Sequence, residues 1–308
     1  MLPLTSLFCD YISPKNTDPK YYKEFINKYT LFTVPIIYSQ AVLTPDSSVG
    51  LTKELLDTEV NQFINDLPGN ATARRSLYRP LCLAGGIDPG KMVQDGEKRT
   101  FVSHFFEETS DRLSLSNREL ILSSLNASAF LNYFSLLEDT LKKIYWQISH
   151  HKKDKTLRTG GETISFYLKN ILSLKNIENE FIYQIEQRSK FFNNFEALVE
   201  MWSLMNLIRN KYIHNGNYYN KRSREFFNQR VFSVISKFSR DEYSLEKVLF
   251  IDKFDPMINE IKETGQLTFS DTLENCIRNI GLFVMESLLL CDRKSKQENR
   301  KKKHVRSF

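Results

Sequence analysis

Residues 116–149 read SNRELILSSLNASAFLNYFSLLEDTLKKIYWQIS and predict one long amphipathic helix. The first four residues have the Ser-x-x-Glu pattern of a capping box, in which Ser116 and Glu119 satisfy free N–H groups at a helix start. Apolar side chains then recur every three or four residues and form one broad stripe: Leu122, Leu125, Ala129, Phe130, Tyr133, Leu136, Leu137, Leu141, Ile144 and Tyr145. Because such a stripe must be covered by other helices, the sequence predicts a helical bundle.

The same periodicity continues along the chain and predicts further helices over 162–174, 177–192, 195–214, 223–238 and 270–291. Between the last two, residues 247–251 and 266–269 are predicted to form a small hairpin or two extended connectors. The fold class is therefore expected to be mainly α, with an antiparallel helical bundle over 113–292.

The N-terminal region, 1–112, has a different pattern, since eight of the nine prolines lie before residue 110. We expect an irregular region of mixed α and β character, with helices over 19–32 and 52–67 and a strand over 33–42. The sequence does not assign a fold to it.

Charge is unevenly distributed along the 308 residues, which carry 43 Lys and Arg against 37 Asp and Glu. Residues 293–308 hold eight of the basic residues and one acid, Glu298, so the excess positive charge is confined to this C-terminal tail. The tail is expected to be disordered and solvated, with a non-specific polyanion contact as the alternative.

The four cysteines are single and have no histidine at ligand spacing, so we expect no metal site, no disulfide framework and no cofactor. The chain begins without a basic region followed by a long apolar stretch, and the apolar run 280–291 is short and contains Glu286. We therefore expect no membrane association and a cytoplasmic location.

The sharpest local pattern is Leu207-Ile208-Arg209-Asn210-Lys211-Tyr212-Ile213-His214-Asn215-Gly216, near the end of the predicted helix 195–214. Arg209 borders the apolar face, while Asn210 and His214 lie one turn apart on the neighbouring polar strip. Gly216 stands where a helix end often requires a residue with positive φ, which places His214 in the last turn. The helix dipole favours a cation there.

The Arg-Asn-x-x-x-His pattern of Arg209, Asn210 and His214 resembles the HEPN superfamily of helical ribonucleases and nucleotide-binding modules. The run 130–142, with Glu138, looks like the first long helix of that family, and the resemblance covers residues 115–292. It implies a metal-independent endoribonuclease of the toxin or antiviral defence type, with Arg209, Asn210 and His214 as catalytic residues. Glu138 either positions Arg209 or is a solvated charge on its helix. The resemblance also implies a homodimer that shares one composite cleft, and a regulatory or antitoxin partner.

The properties of these side chains fit that chemistry. A histidine titrating near neutral pH can accept the proton of a ribose 2′-hydroxyl or donate one to the leaving 5′-oxygen, and an arginine can neutralise charge on the phosphate. Two alternatives to catalysis remain open. In the first, Arg209 pairs with Glu138 or Asp139 and His214 only caps the helix. In the second, the bundle is a non-catalytic module that binds a nucleotide or a protein.

The stretch 218–224 interleaves aromatic and basic side chains, a composition typical of contacts with single-stranded RNA. It gives Tyr218, Tyr219, Lys221 and Arg222, with Lys211 from the helix before it, as candidate RNA-binding residues. A solvated loop is the alternative. Two weaker patterns are a phosphate-loop spacing over 85–91, which is expected to be a turn-rich loop because Met92 replaces Ser or Thr, and the basic stretch 150–155.

Overall fold

The computed structural model describes residue 12 and residues 14–43, 109, 111–149, 160–189, 194–237 and 245–305. Within these ranges the chain is mainly α-helical. The helices are α1 Lys20–Leu43, α2 Asn117–Ser149, α3 Lys169–Lys175, α4 Glu178–Arg188, α5 Phe195–Asn215, α6 Lys221–Lys237, α7 Leu245–Thr264 and α8 Asp271–Val305, with a π-helical turn, Thr163–Leu168, leading directly into α3. The only β pairing in the described ranges is an isolated antiparallel bridge between Tyr218 and Gln266.

The chain divides into two compact units, one formed by residues 1–36 with 125–308 and the other by residues 37–124. This division differs from the predicted boundary at residue 112, because residues 20–36 of α1 belong to the larger unit. Its Tyr22 and Phe25 side chains are buried in the core of that unit. The predicted helix over 52–67 and the loop over 85–91 lie outside the described residues.

Helix α2 begins as its sequence predicts. The Ser116 N–H donates to Glu119 Oε2 at 2.8 Å, and the Glu119 N–H donates back to Ser116 Oγ at 3.3 Å. These reciprocal bonds satisfy two of the N–H groups that a helix start leaves free.

The core of the larger unit is built on α2, α5 and α8. The Phe134 ring of α2 stacks on Trp202 of α5 with centroids 4.3 Å apart and planes inclined by 18°. Helix α8 contributes fully buried side chains at helical spacing, among them Ile277, Ile280 and Val284. Burial of large aromatic and aliphatic side chains is the main favourable contribution to such a fold.

Three predictions about elements are wrong. Residues 33–42 are helical, not a strand, although α1 contains Pro35 and a β-branched run. Residues 247–251 are also helical, because they lie within α7. The apolar side chains of Phe254 and Met257, on either side of Pro256 in the sequence, are among the buried residues of this helix. The predicted disorder of the C-terminal tail is wrong for residues 293–305, because α8 continues through them.

Ion pairs attach the start of the predicted tail to the rest of the larger unit. Arg293 donates from Nε and Nη2 to the Asp18 carboxylate at 3.0 and 2.9 Å, and the Asp18 side chain is only 2% exposed. Lys294 pairs with Glu180 of α4. The boundary at residue 292 therefore falls within a continuous, anchored helix.

Candidate functional site

Helix α5 places the Arg-Asn-x-x-x-His residues on one end of the larger unit. The Asn194 side chain caps the start of the helix by accepting from the Ala197 N–H at 2.7 Å. Gly216 ends it with a left-handed φ of 55°, as predicted. The core face of α5 is fully buried and consists of Leu198, Met201, Trp202, Met205 and Ile208.

Arg209 is half-buried and is held by two contacts. Its guanidinium carbon lies 5.4 Å from the centroid of the Phe134 ring, and its Nη1 donates to Asn210 Oδ1 at 2.9 Å. Phe134 itself stacks on Trp202, so the guanidinium of Arg209 contacts the aromatic pair at the centre of the core. A cation over an aromatic face is stabilised electrostatically without being neutralised by an acid.

Asn210 and His214 are four residues apart on α5, so they lie on the same helix face about 6 Å apart along the axis. Asn210 is half-buried, whereas His214 is exposed in the last turn. The side chains of Arg209, Asn210 and His214 therefore line a path from the edge of the core to the accessible end of the helix.

Glu138 does not pair with Arg209. It is buried on α2, where its Oε1 pairs with Lys142 and its Oε2 accepts the Gly160 N–H at 3.3 Å. The structural alternative in which Arg209 pairs with Glu138 or with the exposed Asp139 is not what the structure shows. Glu138 fixes the turn before the π-helical segment, so any effect on Arg209 is indirect.

That turn, Gly160–Gly161, packs closely on α5. The Trp202 indole donates to the Gly160 carbonyl at 2.8 Å, and a Cβ atom added to Gly160 would lie 2.5 Å from Asn206 Oδ1. Asn206 Oδ1 is buried and has no hydrogen-bond partner among the described residues. The sequence analysis did not identify this arrangement; its only signals in the sequence are the two adjacent glycines and the position of Asn206 one turn before Asn210.

The connection from α5 to α6 is fixed by the connection between α7 and α8. Asn217 donates its amide to the Leu267 carbonyl, and the Tyr219 N–H donates to the Gly265 carbonyl at 2.8 Å. Arg224 adds two bonds, to the carbonyls of Tyr219 at 2.9 Å and Lys262 at 3.0 Å. This turn therefore holds its residues in defined positions beside His214.

The predicted RNA-binding residues have different surroundings. Tyr218, Lys221 and Arg222 are exposed, and Lys211 is half-buried with its ammonium 5.8 Å from the Tyr219 ring. Tyr219 is fully buried, with its ring edge-on to Phe227 at 5.7 Å. Because a buried ring cannot stack on a base, the prediction of Tyr219 as an RNA contact is corrected.

Lys211 and Arg222 line an open groove of about 580 Å³ between the end of α5 and the start of α6. Its other lining residues are Asn220, Ser223, Glu225, Phe226 and Gln229. Phe226 is 41% exposed. It was not among the predicted RNA-binding residues, because that prediction considered only residues 211 and 218–224. Its signal in the sequence is the position four residues after Arg222, on the same helix face.

Other reactive groups in the described ranges are removed from this end of α5. Cys276 and Cys291 are buried, and burial raises the pKa of each thiol to about 12, which disfavours the nucleophilic thiolate. The described residues contain no cluster of three His, Cys, Asp or Glu side chains that could hold a metal ion. Residues 85–91 and 150–155 lie outside the described ranges.

Comparisons with protein-family models, curated proteins and solved structures find no match for this chain. Among the described helices, one segment, Glu119–Ser149, has the length and hydropathy of a membrane span, and half of its most apolar window is buried inside the protein. Its Phe130, Phe134, Leu137 and Leu141 side chains pack in the core of the larger unit.

Proposed function

We propose that this protein is a metal-independent endoribonuclease with a HEPN-like antiparallel helical bundle. The observation that carries the proposal is the arrangement on α5, in which Arg209 contacts Phe134 and Asn210 and pairs with no acid among the described residues, while His214 is exposed one turn beyond Asn210. An arginine can stabilise the charge that develops on the phosphate, and an accessible histidine can accept or donate a proton in phosphodiester cleavage by an internal hydroxyl.

In the proposed reaction the ribose 2′-oxygen attacks the adjacent phosphorus and the bond from phosphorus to the 5′-oxygen breaks. One imidazole accepts the 2′-hydroxyl proton, and a second, protonated imidazole donates a proton to the leaving 5′-oxygen. Arg209 stabilises the added charge on the phosphate oxygens, and Asn210 orients Arg209 through its 2.9 Å hydrogen bond. The products carry a 2′,3′-cyclic phosphate and a 5′-hydroxyl.

A homodimer supplies the second imidazole, because each chain contributes one His214 to this end of α5. A two-fold axis beside the exposed ends of two α5 helices would bring both histidines and both arginines to one cleft. Tyr218, Lys211, Lys221 and Arg222 would contact single-stranded RNA next to that cleft. By resemblance, the biological role is that of a toxin or antiviral defence effector restrained by a regulatory partner in the cytoplasm.

The first experiment compares the native protein with His214→Ala and with Lys237→Ala, a control at the far end of α6. Each is incubated with total RNA in EDTA, and the fragment ends are analysed. We expect native protein and the control to give cyclic-phosphate and 5′-hydroxyl ends, while His214→Ala loses at least about 100-fold in rate, the usual contribution of a general acid or base.

Three results would count against the proposal. Equal cutting by His214→Ala removes His214 from the mechanism, and 5′-phosphate ends indicate a different chemistry. If neither protein cuts, a binding module becomes the better description. That alternative is supported by the contacts of Arg209 with Phe134 and Asn210, which also give the arginine a structural role.

A further inference from the structure

The groove between α5 and α6 has the composition of a site for one unpaired nucleotide. Helix α6 buries Phe227, Val231 and Val234, so its opposite face is directed outward. Arg222, Phe226 and Gln229 follow each other on that outward face at spacings of four and three residues, and all three line the groove.

Phe226 is a partly exposed ring in a fixed position. The Arg230 guanidinium lies 5.1 Å from the centre of the ring, and Arg230 itself bonds to Glu200 at 3.3 Å. Nevertheless 41% of Phe226 remains exposed, at the edge of a groove large enough for a base. An aromatic ring that one neighbour holds in place and that is open to solvent can stack on any of the four bases.

The polar lining of the groove fits the rest of a nucleotide. Lys211 and Arg222 supply positive charge from two helices for phosphate oxygens, against the single acid Glu225. The Gln229 amide can donate to and accept from base edges, and the Asn220 amide can donate, since its Oδ1 already accepts from the Ser223 N–H at 2.9 Å. An acidic peptide would use the two cations but would leave the exposed ring without a matching surface, so nucleic acid is the better fit.

The groove also begins next to the proposed catalytic residues. Lys211 precedes His214 by three residues on α5, which places the two side chains within one helical turn. We propose that the groove binds an unpaired ribonucleotide beside the scissile phosphate, with its base stacked on Phe226 and its phosphates contacting Lys211 and Arg222. This inference rests on the proposed function and adds the requirement for an unstacked base.

The test measures binding without cleavage. The probe is a fluorescein-labelled single strand of roughly 12 nucleotides, within the range that such sites cover, with 2′-O-methyl groups that block the attacking oxygen. Fluorescence anisotropy compares the full-length native chain with Phe226→Ala, Phe226→Tyr and Phe232→Ala. Phe232 is the matched control, because it is a 66% exposed aromatic residue on α6 that is not part of the groove lining.

We expect Phe226→Ala to weaken binding about tenfold, in line with the effect of removing one stacking ring, while Phe226→Tyr and Phe232→Ala stay within about twofold of native. Replacing Lys211 and Arg222 together should lower the dependence of affinity on salt concentration. Circular dichroism establishes that each variant is folded.

The proposal is overturned if Phe226→Ala binds the probe like native protein, if Phe232→Ala loses as much, or if duplex RNA competes as well as single strands. It is also overturned if a polyglutamate peptide binds and the probe does not. Cleavage that persists with unchanged KM in Phe226→Ala would refute the groove and leave the nuclease proposal standing. Phe226-dependent binding without any cleavage would support the groove and refute the nuclease.

Discussion

Replacing Gly160 with alanine should destabilise the larger unit far more than the same change at Gly216. Both glycines have positive φ, 66° and 55° respectively. A Cβ at Gly216 meets nothing within 4 Å, whereas one at Gly160 would lie 2.5 Å from Asn206 Oδ1. The two substitutions therefore share the backbone strain and differ in the steric clash.

The magnitudes follow from these two contributions. A left-handed conformation costs a non-glycine residue about 1–2 kcal/mol, which is the whole expected effect of Gly216→Ala. Overpacking adds about 1–3 kcal/mol, so Gly160→Ala should lower the free energy of unfolding by about 2–5 kcal/mol. Asn206→Ala removes the clashing Oδ1 atom, so Gly160→Ala in that background should cost no more than Gly216→Ala does in the native protein.

Urea unfolding followed by tryptophan fluorescence measures these differences. The signal comes from Trp146 and Trp202, and Trp202 is next to the turn because its indole donates to the Gly160 carbonyl. The four proteins needed are Gly160→Ala, Asn206→Ala, their double variant and Gly216→Ala. A double-mutant cycle with no coupling energy, or equal losses at the two glycines, would refute the steric argument.

Two further predictions concern carboxyl groups, one partly buried and one fully buried. Burial raises the pKa of Glu260, whose Oε1 accepts the Thr268 N–H at 2.8 Å. The folded state thus binds this proton more tightly than the unfolded state, and Glu260 lowers stability once the pH rises above the ordinary carboxyl pKa of 4.5. Glu260→Gln should therefore stabilise the protein at pH 7 and not at pH 4. Thermal unfolding at both pH values checks this, and equal effects at both would contradict it. Arg293→Ala should cost about 3 kcal/mol in urea unfolding because it leaves the Asp18 carboxylate, 2% exposed, with the Lys15 N–H at 2.7 Å but without its cationic partner. Asp18→Asn in the same background should recover part of the loss, and no recovery would contradict the charge argument.

The features that could be predicted from the sequence are those that depend on residues close together along the chain. The capping box of Ser116 and Glu119 and the left-handed end of α5 at Gly216 are local, and both are confirmed. The placement of Arg209, Asn210 and His214 on α5 follows from the same helical periodicity. Their catalytic roles remain proposals.

The wrong predictions arise where distant contacts override local preference. Thr33 and its β-branched neighbours favour a strand, yet α1 continues because its buried face packs into the core and the Thr33 hydroxyl contacts Tyr133, 100 residues away, at 2.8 Å. The basic composition after 292 suggested disorder, but Arg293 and Lys294 find buried or partly buried acids. No local pattern reveals such partners.

The contacts of Arg209 and His214 determine which variant of the site is informative. Arg209 covers Phe134, which stacks on Trp202, so Arg209→Ala would expose the central aromatic pair of the core and combine a loss of stability with any loss of chemistry. His214 is exposed in the last turn of α5, and its removal leaves the buried face of that helix intact. A loss of cleavage in His214→Ala with unchanged unfolding therefore reports on proton transfer. The same loss in Arg209→Ala would be interpretable only beside Arg209→Lys, which retains the positive charge but not the planar guanidinium that lies over the Phe134 ring.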